Sequence, residues 1–343
     1  MKILPKKDRC DGRCHSRLFS LEGDDSLHGG VMDQPLVSVI MNCFNGEQYL
    51  KEAIDSIYAQ DYSHWEIIFY DNASTDRSAE IARQYDARLS YFCGDATIPL
   101  GAARNEAISH ARGDLIAFLD TDDRWLPTKL STQVGVFLQH DDVDFVYSNF
   151  YFRYSPDDRR YLGHSKPQPQ GKVFRSFLRY NPVNLQTVMV RTSALMRQDT
   201  LFDPILSMSE EYDLFMRLLH SSNAHYIATP LAVYRIHSGM ASIKFADKYP
   251  EECRYILTKL HDLEPLFEQK YAAELGYFGA KIGYWQAVAE MQKGNTLRAQ
   301  QALSPHKWVS PLFFLIYCST YLPAGFWCKI YEFRFEISHI TKS

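Results

Sequence analysis

Three aspartates, Asp120, Asp122 and Asp123, fall within four positions at the end of the apolar stretch Leu115–Leu119, read LIAFLDTDD. Like charges this close raise one another's pKa, so they need a cation, a metal ion or an open, solvated turn. Asp71 closes a second apolar stretch, WEIIFYD, and Arg104 lies between the two in a run of helical character. Acids joined by a divalent cation, beside a slot for uracil or another base, suit a nucleoside diphosphate whose charge is neutralised as it leaves. Plainer accounts stand beside this one: a charged turn for the triplet, an Asx turn for Asp71, a structural ion pair for Arg104. Neither GxxxxGK[ST] nor GxGxxG occurs, so no glycine-rich phosphate loop points to another kind of nucleotide site.

The elements that would carry these residues alternate in type. VSVIM at Val37–Met41 reads as a buried strand, Asn42–Gly46 as a polar turn, and Glu47–Gln60 as a helix with apolar residues at helical spacing. Trp65–Tyr70 gives a second strand, and Asp71–Asp76 a turn whose Ser74 or Thr75 can cap the following helix. Leu89–Cys93 makes a third strand, and Ala102–Ala111 a helix that Gly113 stops before Leu115. This repetition predicts an α/β layer with a mainly parallel sheet and a ligand crevice beyond the strand C-termini. The turns after Met41, Tyr70 and Leu119 would then share one rim.

Downstream, Pro127–His140 reads as a helix, Phe145–Tyr154 as a strand, 155–171 as a loop or hairpin turn, and Thr187–Val190 as a strand. Met208–Leu219 is an amphipathic helix with Glu210, Glu211 and Asp213 in its first turns, where acids also complement the helix N-terminus. Leu231–Arg235 is a strand that leads to His237 in IHSG, and beyond Asp247 the chain turns helical.

A chain of 343 residues with a net charge of −4 has ample material for a core and no global basic field, which argues against nucleic-acid binding. The seven cysteines are mostly isolated in apolar segments, as in a reducing compartment, and Cys10 with Cys14 makes at most half a zinc site. Residues 1–35 lack a continuous apolar core and read as a disordered extension, with Met32 a plausible functional start. Residues 308–335 are aromatic but interrupted by Pro311, Pro323, Gly325 and Lys329, so they suit an interfacial helix pair better than a membrane span.

Residues 36–126 resemble the nucleotide-binding half of the inverting family 2 glycosyltransferases, which have a GT-A fold. VSVIMNCFNGEQYLKEAIDSIYAQDYSHWEIIFYDNASTD resembles the family opening, and GAARNEAISHARGDLIAFLDTDD its Arg-Asn helix and DxD loop. NLQTVMVRTSAL, SEEYDLFMRL and YRIHSG extend the resemblance more thinly to about residue 240. It implies that Asn42 lines the nucleotide slot, Asp71 meets the base and Arg104 helps enclose the nucleotide. Asp120 would lie nearer the ribose, with Asp122 as the direct ligand of a Mn or Mg ion and His237 close to that metal and the diphosphate. The general base would fall at Glu211, where the family commonly has Asp, with Glu210 and Asp213 as alternates. Asp123 and Trp125 would face the sugar or acceptor.

The expectation is therefore a GT-A catalytic domain at 36–245, divided into a nucleotide half (36–126) and an acceptor-side half (127–245). A helical region at 246–343 would follow. The implied activity is inverting transfer from a nucleoside diphosphate sugar to a saccharide or lipid-linked hydroxyl in surface polysaccharide synthesis. The setting would be cytoplasmic, with 308–335 resting on the cytoplasmic face of the inner membrane. A non-catalytic carbohydrate or nucleotide-binding module and a metal-dependent nucleotidyltransferase are the rival readings.

Overall fold

Val37–Cys43 (β1) and Trp65–Asp71 (β2) are buried along almost their whole length, so their sequences run apolar without alternation. Alternate residues serve opposite faces of the sheet: Val39, Met41, Ile67 and Phe69 enter one core, Ile40 and Ile68 the other. Leu50–Tyr58 (α1) covers the first face with Leu50, Ala53, Ile54 and Ile57. After Ser78–Ala82 (α2) and Leu89–Cys93 (β3), Leu100–Ser109 (α3) covers the second face with Ala103, Ala107 and Ile108. Leu115–Phe118 (β4) completes this half, and Val37 stands opposite both Trp65 and Leu115 in parallel register. Gly113 is required where β1 passes: a Cβ there would lie 2.6 Å from Leu36 O and from Ser38 N.

The computed structural model describes residues 34–154, 159–237, 240, 246–323 and 327. Cys10, Cys14, the possible start at Met32, and 324–335 apart from Trp327 lie outside them. The second half comprises Arg124–Trp125 (β5), Lys129–Gln139 (α4), Val143–Tyr154 (β6), Arg160–Leu162 (β7), Phe174–Arg179 (α5), Met189–Arg191 (β8), Thr192–Leu195 (α6), Glu210–Ser221 (α7) and Asn223–Ile236 (β9). Tyr249–His261 (α8), Phe267–Lys270 (α9), Ala272–Gln292 (α10), Thr296–Leu303 (α11) and Pro311–Ser319 (α12) follow, and they belong to the same compact unit as the sheet.

Strand order is β3-β2-β1-β4-β8-β6-β9-β5, with β7 on β6. The expectation of a mainly parallel sheet is corrected here. β8 runs antiparallel to both β4 and β6, β5 antiparallel to β9, and β7 antiparallel to β6, while β6 and β9 are parallel. The short β8 is entered through a 3-10 turn at Leu185–Thr187 that follows α5, and it returns between β4 and β6 against the direction of both. Ser74 and Thr75 do not cap α2 either. Ser74 Oγ instead accepts from Asn45 N at 2.9 Å, and Asp76 Oδ1 accepts from Ser78 N at 3.0 Å.

Candidate functional site

β1 and β4 end side by side, and their last residues open onto a cleft of about 310 Å³ lined by Asn42, Asp120 and Asp122. α3 contributes Arg104, and the start of α7 contributes Glu210 and Glu211. Six of the expected site residues thus meet although they come from four separate segments. Asn42 Nδ2 is buried without a hydrogen-bond partner, and so is Nε2 of Gln186, another lining residue. Buried donors are nearly always satisfied, and both residues line the cleft, so a turn of either side chain toward it would give its amide an acceptor there.

Arg104 is the electrostatic hub. Its side chain is 5% exposed, with Nη2 donating to Asp120 Oδ1 at 3.0 Å, Nη1 donating to Glu210 Oε1, and Glu211 Oε2 4.0 Å away. Burial favours a neutral guanidine, but Asp120, Glu210 and Glu211 together hold it charged, with its pKa above the ordinary value. The three acids of α7 separate by environment. Glu210 is 2% exposed and paired to Arg104, and burial raises its pKa against that pairing. Asp213 is fully buried, and its Oδ2 is held at 2.8 Å by both Lys259 Nζ and Arg217 Nη2, away from the cleft lining. Glu211 keeps 31% of its side-chain exposure, and burial followed by the charge of Glu210 pushes its pKa up to about 8. Solvent reaches this carboxylate through the cleft mouth, which moderates that shift.

The DxD loop also divides. Asp122 Oδ2 lies 3.0 Å from His237 Nε2, and burial and Asp120 raise the Asp122 pKa while His237 opposes. No group of three or more His, Cys, Asp or Glu side chains among the described residues is arranged to hold a metal ion. Asp122 and His237 nonetheless offer an oxygen and a nitrogen side by side, a donor chemistry that suits Mn. Mg or Mn sites commonly use one or two protein ligands and complete the shell with water and phosphate oxygens. Asp120 is turned to Arg104.

Three expected contacts take other positions. Asp123 is 2% exposed and accepts from Arg235 N at 2.8 Å; Trp125 is 3% exposed and donates to Gln186 O at 2.9 Å. Neither lines the cleft, so neither is placed to touch a sugar. Trp125 shapes the wall from behind by holding Gln186. Asp71, 1% exposed, closes its strand as an Asx turn, with Oδ1 accepting from Ser74 N at 2.8 Å and Oδ2 from Tyr91 Oη at 2.7 Å. Sequence reading missed Gln186, Tyr234 and Met240, all on the cleft. NLQTVMV carried a signal for the first, an amide just before an apolar strand, but nothing local marked the other two.

The family model described as Glycosyl transferase family 2 matches residues 38–202. A putative colanic acid biosynthesis glycosyl transferase, WcaA of Escherichia coli K12, is 34% identical over 202 residues, covering 55% of this chain and 68% of that protein. The Staphylococcus aureus TarS 1–349 structure in complex with UDP superposes with a TM-score of 0.61 at 19% identity, covering 80% of this chain and 81% of that one. The mannosyltransferase PcManGT of Pyrobaculum calidifontis, in complex with GDP-Man and Mn2+, gives 0.55 at 18% identity, covering 80% and 75%. The mixed sheet, the acid-lined cleft at its strand ends and these matches agree: the chain belongs to the family 2 glycosyltransferases, enzymes that transfer sugars.

Proposed function

We propose that this enzyme moves a sugar from a nucleoside diphosphate donor to a hydroxyl of a saccharide or lipid-linked acceptor in surface polysaccharide assembly, by one displacement that inverts the anomeric carbon. The observation that carries the reading is Glu211, the one acid of α7 that lines the cleft without a short ion pair. In the step proposed, the acceptor oxygen bonds to the anomeric carbon as its proton passes to the Glu211 carboxylate. The bond from that carbon to the diphosphate oxygen breaks, and the nucleoside diphosphate leaves. Arg104 keeps a positive charge beside the leaving group, and the amides of Asn42 and Gln186, once turned toward the cleft, donate to donor oxygens.

Asp122 and His237, with Asp120 nearby, are the residues that would hold Mn or Mg. When bound, such an ion neutralises diphosphate charge. The Mn2+ present with PcManGT supports a divalent ion beside the donor in this fold. Within one compact unit, we assign 36–126 to the nucleotide, 127–245 to the acceptor side and 246–343 to support. A thermal-shift panel of UDP, GDP and their sugars, each with and without Mn, tests the donor, since a ligand bound to the native state raises the melting temperature. Release of free nucleoside diphosphate is the expected product. Pyrophosphate release, or the absence of any shift and any release, would overturn the reading.

The acceptor's setting rests on α12. No helix among the described residues is long and apolar enough to cross a membrane. Trp308, Leu312, Leu315 and Tyr321 are nevertheless 75%, 50%, 65% and 65% exposed, an apolar surface suited to lying on lipid at the cytoplasmic face of the inner membrane. Removing residues 308–335 should lower recovery with membranes; unchanged recovery would refute the contact.

A further inference from the structure

The acids of α7 depend on a residue more than forty positions downstream. Glu252 of α8 is 7% exposed, and its carboxylate accepts three consecutive backbone N–H groups: Ser207 N at 2.7 Å on Oε1, and Met208 N at 3.2 Å and Ser209 N at 3.0 Å on Oε2. Ser209 directly precedes α7, where a serine hydroxyl ordinarily caps a helix, yet its hydroxyl makes no capping bond and no other hydrogen bond. The distant carboxylate instead holds the three residues that lead into the helix, and its two charged oxygens make these bonds stronger than neutral ones. Ser207 and Met208 line the cleft, and Glu210 and Glu211 follow within three residues.

The rest of α8 is seated on the same stretch. Tyr255 Oη donates to Asp203 Oδ2 at 2.9 Å, and Lys259 Nζ bridges Asp203 Oδ2 and Asp213 Oδ2 at 2.8 Å each. Residues 252, 255 and 259 recur at i, i+3 and i+7, so one face of α8 grips the chain from Asp203 to Asp213. Glu252 is its grip at the cleft end. It does not line the cleft, and both of its oxygens are occupied by backbone donors, which argues against its acting as a base.

We propose that Glu252 is a positioning residue for sugar transfer: by holding the Ser207–Ser209 backbone it fixes where Glu211 stands, which makes the C-terminal helical region a working part of the active site. This rests on Glu211 being the base. A carboxylate misplaced by about 1 Å costs on the order of a hundredfold in rate.

The test uses the full chain and the donor that the thermal-shift panel identifies. Glu252→Gln keeps the size of the side chain but turns one accepting oxygen into a donor that faces backbone N–H. We expect kcat to fall about a hundredfold, with donor KM and calorimetric binding of its nucleoside diphosphate nearly unchanged. Glu252→Asp, which restores the carboxylate on a shorter arm, should recover part of the loss, and it carries the same test where the Gln variant does not fold. Tyr255→Phe removes another α8 contact and serves as the structural control, with a lowered melting temperature and kcat near wild type. A wild-type kcat in E252Q while E211Q is inactive overturns the proposal alone. So does a kcat loss in Y255F that matches E252Q at equal loss of melting temperature. An active E211Q overturns the base assignment, and the proposal falls with it.

Discussion

The two acid clusters of the site are positioned in opposite ways. Asp120 and Asp122 follow β4, whose neighbour β1 fixes them through a parallel ladder, with Leu119 N donating to Ile40 O at 3.1 Å. Glu210 and Glu211 begin a helix reached by a long loop, and their placement depends on Arg104 from α3 and on Glu252 from α8. Donor-side acids are thus set by a short, locally encoded sheet edge. The α7 acids, among them the proposed base Glu211, are set by contacts between segments far apart in the chain.

The largest effect expected of breaking this arrangement is at the base. Glu211→Gln should lower kcat about a thousandfold while calorimetric donor binding stays intact, in line with what a general base contributes. Loss of donor binding in step with turnover would instead place Glu211 in the donor pocket. Next comes the donor side: Asp122→Asn should raise the Mn concentration needed for half-maximal turnover by on the order of a hundredfold, with little change in kcat at saturation. Comparable losses at Asp120, with no shift in Mn dependence, would reassign Asp122 away from the metal.

The pH dependence separates the clusters further. The proposed base Glu211 must be deprotonated to accept a proton, and its pKa is pushed up to about 8, first by burial and then by Glu210. Below that value kcat/KM should fall tenfold per pH unit, because kcat/KM reports the free enzyme. E211Q should lose this limb from its residual activity. An unaltered acid limb in that variant would assign the titration to another group.

These expectations show what the sequence could and could not convey. Strand, turn and helix from Val37 to Phe118 were legible because each apolar face is local and periodic. The order of the second half was not, since the parallel pairing of β6 with β9 joins Val143 to Asn223 across two intervening strands and three α-helices. Acid direction was equally hidden. Asp71 and Asp123 stand at strand ends like Asp120 and Asp122, but one is closed by Tyr91 and the other by Arg235 N, and nothing within a few residues announces either partner. Glu252 drew no reading from the sequence, because its three partners lie at 207–209. The choice of Glu211 over its alternates came from resemblance, and the burial of Glu210 and Asp213 supplies a physical reason for it.

The smallest effect belongs to Asp123, and it tests whether adjacent acids in one loop do different work. Its carboxyl is buried, and burial followed by the charges of Asp122 and Asp120 raises its pKa well above the ordinary 3.8. The native state therefore holds this proton more tightly than the unfolded chain does. Stability from the group is fully present below pH 3.8 and is lost as the pH rises toward the native-state value. Asp123→Asn removes that slope and keeps an oxygen for Arg235 N, so transfer should stay near wild type and the melting temperature should not fall at neutral pH. Asp123→Ala leaves Arg235 N without its acceptor and should cost about 1–3 kcal/mol in denaturant unfolding, again with donor KM unchanged. If D123N instead raised donor KM as D122N raises the Mn requirement, the loop would act as one charged unit, and the division between a metal-facing and a fold-facing aspartate would fail.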